Sequence, residues 1–310
     1  MRRTAGDGLR LRDASGSAGG GPAHSSGAAA GPRAAREAPD GAAVSLTAEA
    51  IALARYGTTE PVAPVRRVAL GPVTFAIADG AVRTLAYDGI EVIRGLGYAV
   101  RDRNWGTLAT TTLSEDVSTA GSTLCYRRVF AVGYDFDGDV RVTVTEDSRG
   151  VGVVAALSLA ALRDVVTNRV GFVVLHPIAG VAGEPVDVRR PDGTVTRLAF
   201  PPLVAAAQPA RSIAGLAHVV RGVAVDIAFE GEVFEMEDER NWMDAAFKTC
   251  SRPLSAPRPG TIPAGERIEQ QIAIRLRRHA VAVAGAGRAA APGGAPLDLA
   301  FTAAAVGDRP

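Results

Sequence analysis

The chain has 310 residues, with 34 lysines and arginines against 33 aspartates and glutamates, and 47% of its side chains are apolar. That length holds one large domain or two ordinary ones. The near-zero net charge excludes the basic excess typical of a nucleic-acid binder, and no apolar run reaches the ~18 residues that span a bilayer.

Residues 1–43 are Gly, Ala, Ser, Pro and Arg with almost no large apolar side chain. Such a segment buries too little surface to offset its chain entropy, so a disordered tail is predicted. A linker and a read-through start upstream of the true one fit it equally. The arginines of MRRTAG are not followed by an apolar stretch of about 7–15 residues, so no export signal is supported and a cytoplasmic location is expected. Cys125 and Cys250 lie far apart and form no metal pattern. Reduced thiols, no metal and no cofactor are the expectation.

The domain is predicted over residues 44–280. AEAIALARYG has helical spacing and stops at Gly57. From Val65 the period changes to two. Turns are predicted at Gly71–Pro72, Asp79–Gly80 and Asp88–Gly89, then at Asp137–Gly138–Asp139, Ser148–Arg149–Gly150 and Pro191–Asp192–Gly193. More than ten candidate strands with few helices between them predict an all-β fold, a large antiparallel sandwich of two packed sheets. Residues 281–310 return to Ala, Gly and Pro and read as a linker or a clipped edge.

Three segments gather the rare residue types: RDRNWGT (Arg101–Thr107), NRVGFVVLHP (Asn168–Pro177) and FEMEDERNWMDAAFKTC (Phe234–Cys250). They hold all three asparagines, both tryptophans and the chain's only lysine, Lys248. On a strand from Val233, Glu235, Glu237 and Glu239 share one face at about 7 Å intervals. Carboxylates so close must be solvated, neutralised by Arg240 and Lys248, or hold a proton at raised pKa. The same charges also suit an exposed strand edge that resists pairing. His176 in VVLHP reads either as a hydrogen-bonded core histidine or as a proton-transfer group. Trp105 offers a flat face to a sugar ring, and the charges around it suit a structural ion pair equally well. Motifs of serine hydrolases, phosphate loops and zinc proteases are missing.

The motifs YGTTEP (Tyr56–Pro61), IEVIRGLGYAVRDRNWGT (Ile90–Thr107), NRVGFVVLHPIAGVAGEPV (Asn168–Val186) and FEMEDERNWMDAAFKT (Phe234–Thr249) resemble the amino-terminal part of the D-apionate lactonase family. The resemblance covers roughly residues 50–280. It implies a mutarotase-like supersandwich and hydrolysis of a five-membered sugar-acid lactone in apiose breakdown. Members of that family are longer, with a TIM barrel and a further β domain following, so a barrel encoded downstream of Pro310 is the expected partner.

No catalytic assignment comes with the resemblance, and the site is read from chemistry. Glu235 or Glu237 serves as base or acid, and His176 polarises the carbonyl or relays a proton. Arg240 and Lys248 stabilise the oxyanion. Asn241, Trp242 and Asp244 position hydroxyls, and Arg103, Asn104, Trp105, Asn168 and Arg169 complete the substrate contacts. Two other readings stand beside this one. The first is a non-catalytic sugar-recognition module, for which the 5% aromatic content is low. The second is a mutarotase-type epimerase using His176 or His218 as acid and a glutamate as base.

Overall fold

The computed structural model describes residues 47–60 and 64–279. The predicted tail over 1–43 and the stretch 281–310 lie outside the described residues. Helix α1 (Ala48–Tyr56) forms where its spacing predicted it. Thr47 caps its first turn, and Gly57 closes it at φ 70°, a left-handed value that glycine adopts without steric cost. The helix and the β-rich remainder are separate compact units.

Eighteen strands build the second unit among the described residues. Hairpins link β1 (Arg66–Leu70), β2 (Val73–Ala78), β3 (Ala81–Tyr87) and β4 (Ile90–Asp102). A second meander runs through β5 (Thr111–Ala120), β6 (Thr123–Val132), β7 (Phe136–Asp147) and β8 (Gly150–Ala161). The long β9 (Val165–Pro177) follows, then β10 (Pro185–Arg189), β11 (Val195–Ala199), β12 (Ala210–Ile213), β13 (Gly215–Val220) and β14 (Val223–Glu230). Last come β15 (Phe234–Asp238), β16 (Ala246–Ser251), β17 (Gly260–Ile262) and β18 (Arg267–Arg278).

Two nine-stranded sheets result. The first runs β1-β2-β3-β4-β9-β16-β15-β12, with β17 also paired to β9. The second runs β11-β10-β13-β14-β18-β8-β7-β6-β5, and every pairing between these strands is antiparallel. The period-two pattern thus folds into the predicted sandwich. Its inner faces carry Phe75, Val174, Phe172, Phe130, Phe136, Ile227 and Ile274, all buried. Phe229 stacks on Phe234 with ring centroids 4.4 Å apart, and Tyr98 on Phe130 at 4.5 Å. Each phenyl buried this way contributes about 1.5–3 kcal/mol.

The Asp-Gly hairpins form as read: Asp79 and Gly80, and Asp88 and Gly89, all take positive φ, as a tight two-residue turn requires. One predicted turn does not. Asp137–Gly138–Asp139 lies inside β7, and the chain reverses at Gly133–Asp135 instead. Gly138 faces Phe130 across the strands, where any Cβ would meet the phenyl ring at 2.3 Å. The glycine makes room for a ring, so its turn-like neighbourhood misleads.

Candidate functional site

The register of three neighbouring strands decides which side chains meet. Side chains directly opposite one another across a strand pair share a face. Glu237 of β15 stands opposite Lys248 of β16, which stands opposite Leu175 of β9. One residue along, Asp238 pairs with Phe247, which pairs with His176. The first row points away from the core and the second points into it. A single-residue offset therefore separates His176 from Lys248, although the two stand on neighbouring strands.

On the outward row the charges close into a network. Lys248 Nζ lies 2.6 Å from Glu237 Oε2 and 2.5 Å from Glu239 Oε1. The Glu239 contact is an ion pair whose oxygen falls outside hydrogen-bond alignment. Arg169 Nη2 donates to Glu237 Oε1 at 2.6 Å and stands 3.7 Å from Glu235 Oε1. Arg169 is 95% buried by its 5% residual exposure, and its Nε has no partner. Burial alone would raise the Glu237 pKa, but the Arg169 and Lys248 contacts outweigh it and hold the carboxyl below the usual range. Burial opposes the charge on Lys248, and Glu237 and Glu239 reverse that, holding its amine above the usual range. Glu235 goes the other way. Burial pushes its pKa up, the Glu237 charge adds to this, and the Leu254 amide hydrogen bond and Arg169 only partly offset it.

This network floors a cavity of about 600 Å³ lined by Arg101, Trp105, Arg169, Glu237, Asp238, Glu239, Asn241, Trp242, Lys248, Leu254 and the segment Ala205–Gln208. Trp105 forms one wall. A β-bulge where β4 meets β9 leaves Asn168 unpaired, and its Nδ2 donates to the Arg103 carbonyl at 2.9 Å. Asp102 Oδ1 accepts from the Asn104 and Gly106 amides at 2.7 and 2.8 Å. Together these bonds fix the loop and turn the Trp105 ring to the Arg169 guanidinium, 5.6 Å from its centroid. Trp242, at the end of a 3₁₀ turn (Glu239–Trp242), stands 77% exposed on the rim.

The wall beside Trp242 is pinned from behind. Arg240 donates to both Asp238 carboxylate oxygens and to the carbonyls of Pro201, Pro202 and Leu203. Its guanidinium carbon lies 4.9 Å from the centre of the Phe247 ring. Asn241 Nδ2 donates to the Ala205 and Asp238 carbonyls.

The expected residues therefore sort by position. Trp105, Arg169, Glu237, Asn241, Trp242 and Lys248 share the cavity. Glu235 sits beneath it against Arg169, while Asn168 and Arg240 brace its walls. Arg103 and Asn104 are exposed in the loop and line no part of the cavity, and Asp244 pairs with Arg94 at 3.9 Å. The position of His176 corrects the expectation that it joins this hollow. It is fully buried on the opposite face, its Nε2 2.8 Å from Thr249 Oγ1 and its ring 5.8 Å from that of His218. Burial, with His218 adding to it, depresses its pKa to about 3. Arg101 and Glu239 belong to the cavity and stood in two of the singled-out segments. Ala205–Gln208 carries no polar signature that reveals it.

A two-sheet antiparallel sandwich with a charged, tryptophan-walled cavity on one outer face defines the class: a large all-β domain. A family model described as D-apionate lactonase, N-terminal domain, matches residues 53–279. The chain belongs to that family. A D-apionate lactonase from Brucella anthropi is 37% identical over 240 residues, which is 76% of this chain and 39% of the relative. The chain therefore spans well under half the length of that curated relative. Among solved structures, a galactose mutarotase-like protein from Lactobacillus casei aligns with TM-score 0.46 and 11% identity, covering 69% of this chain and 100% of that one. One from Clostridium acetobutylicum aligns with TM-score 0.44 and 10% identity, covering 68% and 94%.

Proposed function

We propose that the cavity holds a sugar-acid lactone and that the chain is the substrate-holding sandwich of a lactone hydrolase. The observation that supports this best is the Arg169–Glu237–Lys248–Glu239 network on the floor of the cavity, in a chain of the D-apionate lactonase family. Trp105 and Trp242 offer apolar faces to the sugar ring, and Asn241 and Gln208 stand by to meet its hydroxyls. In lactone opening, water oxygen bonds to the carbonyl carbon, the ring C–O bond breaks, and the ring oxygen leaves as a hydroxyl. Negative charge gathers on the carbonyl oxygen on the way. The remaining N–H of Lys248, on the cavity floor, is the donor poised to stabilise it.

Glu237 is the nearest carboxylate to act as base, but its ionised form is held by two cations, which weakens its pull on a proton. Glu235 is more basic but sits sealed under Leu254. These restraints favour a second reading, in which the chain binds the lactone and the catalytic groups lie in the part of the longer relative that this chain does not span. Rates of aldonolactone opening, with calorimetric affinities, separate the two for the wild-type chain, Glu237→Gln and Lys248→Met. Hydrolysis lost in both variants assigns chemistry to this cavity. Binding without turnover in the wild type assigns it the holding role. Unchanged rates and affinities in both variants would remove the cavity from the function altogether.

A further inference from the structure

Beside the first cavity lies a second of about 490 Å³, and the two share Arg101, Arg169, Glu239 and Lys248 as a common sill. Five basic and two acidic side chains line it. Arg169 and Lys248 are already neutralised by the glutamates of the sill. Arg83, Arg101 and Arg128 remain, against Asp79.

Arg128 is the unusual one. It is 5% exposed, yet every hydrogen-bond partner it has is a neutral hydroxyl: Thr112, Tyr98 and Thr110. Among the described residues no carboxylate lies within 4 Å of it. Its cross-strand neighbour Glu115 is exposed and accepts instead from the Tyr126 hydroxyl at 2.6 Å. A buried guanidinium without a counter-ion is costly, by several kcal/mol for an isolated charge. Its hydroxyl bonds and the Phe130 ring 5.5 Å away offset part of that cost, and an anion reaching it would offset the rest. Gly80 extends the approach: a Cβ there would strike Arg128 Nη1 at 1.7 Å, so the glycine leaves the guanidinium its position at the cavity edge.

We propose that this second chamber is an anion site that takes the carboxylate of an open-chain sugar acid, with Arg128 and Arg101 as its cationic contacts. The inference rests on the lactone-holding role proposed for the first cavity. A lactone is uncharged, and opening its ring yields a hydroxy acid that ionises at neutral pH. Charge appears on the ligand only after the reaction. Arg101 stands on the sill and Arg128 beyond it, neither paired with a carboxylate among the described residues, so the opened product is drawn across the sill. The neutral lactone gains nothing there.

Titration calorimetry of the full chain with D-ribonate, D-ribono-1,4-lactone and inorganic phosphate tests this. The wild type is expected to bind ribonate with an affinity that falls as salt is raised. Losing the charge contact in Arg128→Met is expected to weaken ribonate binding about tenfold or more. Should Arg128→Met fail to fold, Ala99→Leu fills the second chamber from its lining and leaves the first untouched. It is expected to abolish ribonate binding and to retain the lactone. Phosphate bound as tightly as ribonate would overturn the assignment to a sugar acid. Lactone binding with no ribonate binding would sink the second chamber alone. Ribonate binding that Ala99→Leu removes, with no lactone binding to any form, would sustain the anion site and defeat the lactone-holding role.

Discussion

At the scale of single residues, Lys248 decides the character of the site. Its ammonium bridges two carboxylates, and Arg169 covers a third, so three glutamates stand together without mutual repulsion dominating. Both members of the Lys248–Glu237 contact are about 15% exposed, 16% and 14%, so solvent screens the pair only partly. Lys248→Met removes the cation, strands Glu239 and leaves Glu237 to Arg169 alone. The expected loss of unfolding free energy is about 1–3 kcal/mol, read from the urea midpoint. Combining it with Glu239→Gln should restore part of that loss, because the second change removes the stranded charge. If the double variant is no more stable than Lys248→Met alone, the Glu239 contact is not energetic.

At the scale of elements, the cavity wall depends on a 3₁₀ turn that has no hydrophobic anchor of its own. None of its four residues is buried. Arg240 holds it, joining the fully buried carboxylate of Asp238 to three consecutive carbonyls of the 201–203 segment. Arg240→Lys keeps the charge and loses the fork geometry, so it cannot serve all these acceptors at once. It should cost about 2–3 kcal/mol and speed proteolysis within residues 201–206, with Arg240→Ala costing more. Equal cleavage rates in wild type and variant would show the segment is held by other means. This brace is also where sequence reading stopped. Arg240 and Asn241 stand in the segment richest in rare residue types, which assigns Arg240 to the oxyanion and Asn241 to the ligand's hydroxyls. Nothing in a linear pattern says that a side chain will spend its donors on carbonyls nearly forty residues away.

At the scale of the whole molecule, two buried histidines couple the sandwich to pH. His176 and His218 pack with Phe200, and three of their four ring nitrogens lack partners. Burial depresses them to about 3 and about 4 from 6.5. The sign follows from linkage. Folded chains keep both rings neutral, whereas unfolded chains protonate them below 6.5, so stability is full above that value and declines as pH falls toward 4. The loss is about 2 kcal/mol per histidine at pH 5. Glu237, whose pKa is lowered, takes its toll only below the ordinary carboxylate range, and Glu235 acts in the opposite direction. His218→Phe should therefore flatten the decline in melting temperature between pH 6.5 and pH 4.5. An unchanged slope would mean that the rings take up protons while folded.

The architecture at this scale was legible because period-two patterning and Asp-Gly turns are local, and local signals survive in sequence. Strand order and face were not. His176 and Lys248 were grouped by rarity, and only the pairing of β9 with β16 reveals that they point to opposite sides. Arg128 was invisible for the same reason: its burial and its hydroxyl partners come from strands distant in sequence, and nothing in CYRRVF sets it apart from Arg127.

Lysine occurs once in this polypeptide, and that one lies inside the cavity. Amine-directed acylation consequently has a single side-chain target, shielded by two glutamates and kept protonated by them. A protonated amine does not acylate, so any reaction at that nitrogen reports the loss of its glutamate contacts, with no other side-chain amine to subtract.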